Sequence, residues 1–148
     1  MPTMEGAASL PREKVSGIRW KHVVLAGFLS EISVTIVLLG VIAVYAFAIA
    51  PGRTNAEYQE FGNNAGYYVA PAAAALITFL FTLWVTKGLE SHFIANGVLV
   101  GVVGVLFTAA FFFTARPEDR LMYGISFVLR IVSGYLGGFL SRTRSNRA

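Results

Sequence analysis

The sequence predicts an all-α integral membrane protein, an antiparallel bundle of four transmembrane helices with both termini on the cytoplasmic side. Three observations carry this. Of 148 residues, 55% are hydrophobic and only 14% charged, with a mean hydropathy of +0.63. That is more apolar side chain than a water-soluble core of this size hides, so a second apolar solvent is needed. The apolar residues gather into four runs, and about 20 helical residues match a hydrocarbon slab of about 30 Å. Lysine and arginine, finally, are distributed unequally between the two sets of connections.

Residues 1–22 form a polar, basic head with Pro2, Gly6 and Pro11, and Trp20 marks the headgroup level. The first apolar run, 23–50, is well beyond the roughly 7–15 residues of a signal-peptide core and is expected to stay in place as an anchor, although Ala48-Ile49-Ala50 superficially imitates a cleavage site. Pro51 and Gly52 end it. The connection PGRTNAEYQEFGNNAG is the longest polar one and has room for a short surface helix. Three further helices are expected over 67–86, 93–114 and 121–141, followed by a basic tail, 142–148. The connections KGLESH and ARPEDR are short, so sequential helices are expected to lie adjacent and antiparallel.

Positive side chains near helix ends stay preferentially in the cytoplasm. Arg12, Lys14, Arg19, Lys21, Lys87, Arg142, Arg144 and Arg147 fall on one side, eight against the three of Arg53, Arg116 and Arg120 on the other. Both termini are therefore expected inside. The aromatic residues divide accordingly into belts, with Tyr45, Tyr67, Tyr68, Phe111, Phe112, Phe113 and Tyr123 toward the outer interface and Trp20, Trp84 and Tyr135 toward the inner.

Two ionisable residues, Glu31 and Arg130, fall within the apolar runs, where an isolated charge costs about 2.5–3.5 kcal/mol or more. Counted along their helices they lie about 12 and 15 Å from the same membrane face. Helices one and four run in opposite directions and can be neighbours, so an intramembrane pair is within reach. Three roles stay open: a pin between two helices, a proton or cation site on a transport path, and no pairing, with Glu31 in a cytoplasmic vestibule and Arg130 snorkelling to the headgroups.

Every run also carries a stripe of small or weakly polar side chains of the kind that lets membrane helices approach closely. These are Gly27, Glu31 and Thr35 in the first, Ala70, Ala74, Thr78, Thr82 and Thr86 in the second, Gly97, Gly101, Gly104 and Thr108 in the third, and Ser126, Arg130, Ser133, Gly134, Gly137, Gly138 and Ser141 in the fourth. The expected packing positions are Gly97, Gly101, Gly104, Gly134, Gly137 and Gly138. His92 and Asn96, one turn apart, suit a hydrogen-bonded helix start. With two histidines, no cysteine and no HExxH, no metal site is expected, and no cofactor. No G-x-S-x-G, P-loop or dinucleotide fingerprint supports an enzyme. The charge of +4 sits beside the apolar runs, which favours lipid over nucleic acid as its partner.

A basic head, four apolar segments and a last helix reading RIVSGYLGGFLSRTRS resemble the small four-helix proteins of bacterial inner membranes. That resemblance implies a multi-pass protein acting as a structural, accessory or interaction component, alone, as a homo-oligomer or beside another membrane protein. The lone glutamate of the first helix, Glu31, is also similar to that of the small multidrug resistance exporters, which implies the alternative, a homodimeric proton-coupled transporter working through Glu31. The long head, the 16-residue outer connection and Arg130 set this chain apart from those exporters.

Overall fold

A computed structural model describes residues 17–115, 117 and 119–147. Most of the expected head, with Arg12 and Lys14, lies outside the described residues, as do Arg116 and Glu118. Four helices account for nearly all the rest: α1 (Trp20–Val44), α2 (Asn55–Val85), α3 (Phe93–Thr114) and α4 (Arg120–Ser145). Each is long and apolar enough to cross a membrane. A single π-helical turn, Tyr45–Ile49, continues α1 to Ala50, beyond which Pro51 cannot extend the ladder.

The main departure from the sequence reading is the start of α2. The polar segment expected as a long connection is helical from Asn55, because Thr54 and Glu57 form a capping box: the Thr54 hydroxyl accepts from the Glu57 amide, and the Glu57 carboxylate accepts from the Thr54 amide at 2.9 Å. Arg53 adds an ion pair to Glu57 at 2.5 Å. The extension is anchored rather than free. Tyr45 stacks on Phe61 with centroids 3.6 Å apart, and the Tyr58 hydroxyl donates to the carbonyl of Ala50 at 2.9 Å. With 31 residues α2 is about 46 Å long, well over the roughly 30 Å that a hydrocarbon slab spans. Thr54→Ala is expected to cost about 1 kcal/mol and to fray this extension first, read as faster amide exchange over residues 55–62 with exchange in α3 unchanged. At the other end of the chain α4 continues four residues past 141, placing Arg142 and Arg144 in its last turn, where they favour the negative end of the helix dipole.

Contacts fix how the helices are arranged. Gly97 lies against Gly134, Gly101 against Arg130 and Gly138 against Phe93, so α3 and α4 are antiparallel. α1 and α2 are antiparallel too, joined by His22 on Trp84 at one end and Tyr45 on Phe61 at the other. α1 runs parallel to α3, with Gly27 against Val103 and Phe28 against Phe107, and α2 runs parallel to α4, with Thr82 against Gly137 and Thr86 against Ser141. The order around the bundle is therefore α1, α2, α4, α3. Two expectations change. α1 and α4 stand at opposite corners and share no extended contact, and α2 and α3, although consecutive, also face each other across a diagonal. The glycine face of α3 is occupied by α4, and its next face by α1, which leaves α2 to pack on α1 and α4.

The interior is the inverse of a water-soluble core. Its largest fully buried side chains are Arg130, Val23, Val85, Val100, Asn96 and the threonines Thr78, Thr82 and Thr86. The large apolar residues face outward, Phe47 at 85% exposure and Phe113 at 77% among them. Such a perimeter is costly in water and matched to lipid tails, while small and weakly polar side chains fill the helix contacts.

Candidate functional site

The chemistry of the bundle gathers at mid-height. Arg130, 2% exposed, points from α4 across the diagonal and meets Glu31 of α1 in a two-pronged ion pair, Nη1 to Oε1 and Nη2 to Oε2, the latter at 3.1 Å. The fork geometry lets one guanidinium satisfy both oxygens of one carboxylate. Glycines make the crossing possible. A Cβ at Gly101 would lie 2.7 Å from the carbonyl oxygen of Arg130, and one at Gly104 would lie 2.8 Å from Nη1 and 3.4 Å from Oε1 of Glu31. α3 thus lacks side chains along the path by which the guanidinium reaches α1. Among the described residues, Nε of Arg130 and the hydroxyls of Thr78 and Thr82 are buried without a hydrogen-bond partner.

Above the pair, toward the end of the bundle that carries the α1–α2 and α3–α4 connections, the helices part around a cavity of about 540 Å³. All four helices line it. Glu31 and Arg130 close it at mid-bundle, and Asp119 stands at its other end, about 16 Å away along α4. Its walls include Tyr67, Tyr123, Phe111 and Met122. Pro71 also lines it; lacking an amide hydrogen, proline leaves the Tyr67 carbonyl one turn earlier without its helical donor. Glu31 is 22% exposed, whereas Arg130 is sealed behind it. Thr35, placed with Glu31 in one stripe by the sequence, is an exposed residue at the cavity edge, and the packed face of α1 is Val23, Ala26, Gly27, Ser30 and Val34.

The other half of the bundle is closed by glycine. A Cβ at either Gly97 or Gly134 would run into the other's carbonyl oxygen, and one at Gly138 would lie 2.6 Å from the carbonyl oxygen of Phe93. Gly137 does a different job from its neighbours, receiving the methyl of Thr82 on α2, 2.8 Å from where its Cβ would stand. Thr82 also faces Gly97, so one methyl fills the space among α2, α3 and α4.

The hydrogen-bonded start expected for α3 at His92 and Asn96 reaches beyond its own helix and ties the terminal end together. Asn96, fully buried, donates through Nδ2 to the carbonyls of Gly17 and His92, and its Oδ1 accepts from the amide of Arg19 at 2.9 Å. The guanidinium of Arg19 donates to the carbonyls of Val85 and Lys87, both at 3.2 Å, and so caps the C-terminal end of α2. His92, the one described non-glycine residue with positive φ, turns the chain into α3. The available signal was an asparagine inside an apolar run, since such a side chain must find partners. Asn96→Leu leaves the Arg19 amide and the Gly17 carbonyl unpaired, and is expected to cost about 2 kcal/mol and to expose the segment before α1 to protease while the Glu31–Arg130 contact persists.

Among the described residues, no three His, Asp or Glu side chains gather as a metal site requires. The fold and site define a class: an all-helical bundle of membrane-crossing proportions with a two-pronged ion pair on its diagonal and a cavity above it. No known family pattern, curated protein or solved structure matches the chain.

Proposed function

We propose that this is a non-enzymatic, multi-pass protein of a bacterial inner membrane, both termini cytoplasmic, serving as a structural, accessory or interaction component beside lipid and other membrane proteins. The observation that carries the reading is the engagement of both Glu31 oxygens by Arg130. A carboxylate held this way fastens two helices that otherwise make no extended contact, and proton coupling would have to break that fastening at each cycle. The positive-residue asymmetry supports the orientation, and a reporter fused after Ala148 is expected to be active only as a cytoplasmic fusion.

The cavity favours a second reading, a homodimeric proton-coupled transporter using Glu31, because it brings the outside of the bundle to that carboxylate. One pair of variants separates the two. A structural pair predicts that Glu31→Gln destabilises and that adding Arg130→Met restores the protein in every assay, growth and partner co-purification included. Transport through Glu31 predicts that the double variant folds and yet fails to move protons or solute in proteoliposomes.

A further inference from the structure

We propose that His22 and Arg19 form an acid-sensitive latch at the terminal end of the bundle: protonation of His22 releases Arg19 and, with it, the segment that leads into α1. Arg19 ties three helices together there. Its guanidinium donates through Nη1 to the carbonyls of Val85 and Lys87 at the end of α2, both at 3.2 Å, and its amide donates to Oδ1 of Asn96 on α3 at 2.9 Å. The other terminal nitrogen, Nη2, stands 3.1 Å from Nε2 of His22 in the first turn of α1. A guanidinium only donates, so Nε2 must accept, and the ring in this contact is neutral with its proton assigned to Nδ1. A protonated imidazole has no acceptor left. It turns an N–H and a positive charge toward Nη2 instead.

The neighbouring helix supplies the second position of the latch. The His22 ring lies against the indole of Trp84 on α2, with centroids 5.9 Å apart. An aromatic ring attracts a cation, so a charged His22 keeps Trp84 as a partner while it repels Arg19. The ring is half-buried and open to protons from solution. The charged and titratable groups at this end of α1, α2 and α3 are Arg19 and Lys21, Lys87 and Glu90, and His92. Among the described residues, Arg19 is the one within hydrogen-bond distance of the His22 ring, and the His92 ring is engaged separately, its Nδ1 2.8 Å from the Ser91 hydroxyl. Once the guanidinium leaves, the last carbonyls of α2 lose their cap, and the grip on the chain before α1 falls to the bonds that Asn96 makes with Gly17 and the Arg19 amide. That chain carries Arg12 and Lys14, so acid on this side frees a basic segment. The latch lies at the end opposite the cavity and is the same whether the bundle is an accessory component or a transporter.

The test uses the full chain in nanodiscs of neutral phosphatidylcholine. The chain has no cysteine, so Ile18→Cys takes a single nitroxide label beside the latch, and the label's mobility is read at about pH 8 and about pH 5. The mobile fraction is expected to rise roughly fivefold or more on acidification and to fall back when the pH is restored. His22→Gln does not titrate, and its side-chain oxygen can accept from Arg19 at either pH, so in that background the label is expected to stay immobile throughout. Should that variant not fold, His22→Asn takes its place. Arg19→Met is expected to leave the label mobile at both pH values, and His92→Gln to keep the full response. A label that ignores pH in the otherwise unaltered protein, a response that survives in His22→Gln, or one that disappears in His92→Gln would each overturn the latch.

Discussion

Glu31→Gln is expected to lower the stability of the bundle by about 3 kcal/mol, and Arg130→Met by less than half as much, although each removes one half of the same pair. The difference comes from where the two groups sit. Removing Glu31 strands a guanidinium that is 2% exposed and already has one unpartnered nitrogen, so no water can reach it without opening the helices. Removing Arg130 leaves a carboxylate 22% exposed to a cavity with polar walls and room for water, where its charge can be hydrated. Methionine in place of arginine also keeps the interior filled. The double variant Glu31→Gln, Arg130→Met is expected to lie within about 1 kcal/mol of the unaltered protein, since an ion pair replaced by neutral groups of similar volume loses little net free energy. Thermal unfolding in detergent, completed as a double-mutant cycle, measures all three. Equal losses in the two single variants would mean that Arg130 is not sealed as the structure has it.

The legible and illegible parts of this molecule divide along physical lines. Helix existence depends on long apolar runs, and α3 occupies Phe93–Thr114, the run visible in the sequence. Helix ends depend on local hydrogen bonds. Thr54 and Glu57 stand three apart in the sequence like any capping box, but Glu60, three asparagines and three glycines around them read as a loop until Tyr45 and Phe61 are seen stacked. Arrangement was the hardest to read. Short connections suggest neighbours, yet whether α2 and α3 sit side by side or across a diagonal depends on which faces the other helices occupy, information spread over all four. Glu31 and Arg130 stood out because charge is rare in apolar runs, and their matched depth followed from helical rise alone. Their meeting across a diagonal did not, because it requires Gly101 and Gly104 to leave a passage on a third helix. The cavity left no linear trace either, its lining being drawn from every helix.

That passage and the closed glycine seam below it should respond differently to the same small change. Gly97→Ala places a methyl against a backbone carbonyl oxygen of α4, an atom that cannot rotate aside, so α3 and α4 must move apart along their whole antiparallel contact. Interiors close-packed in this way resist added volume, and a loss of about 3 kcal/mol or more is expected, together with lower yield of folded protein. Gly134→Ala meets the reciprocal carbonyl and should cost as much, while the two together should cost less than the sum, because the first has already separated the helices. Gly104→Ala instead meets the end of a side chain, Nη1 of Arg130 at 2.8 Å. The guanidinium can shift by a few tenths of an ångström while holding Glu31, so the expected loss is about 1 kcal/mol, and it should vanish in the Glu31→Gln, Arg130→Met background, where no guanidinium crosses that position. A loss at Gly104 that survives in that background would show that α3 approaches its neighbours there by backbone alone and that the passage has no part in seating the pair.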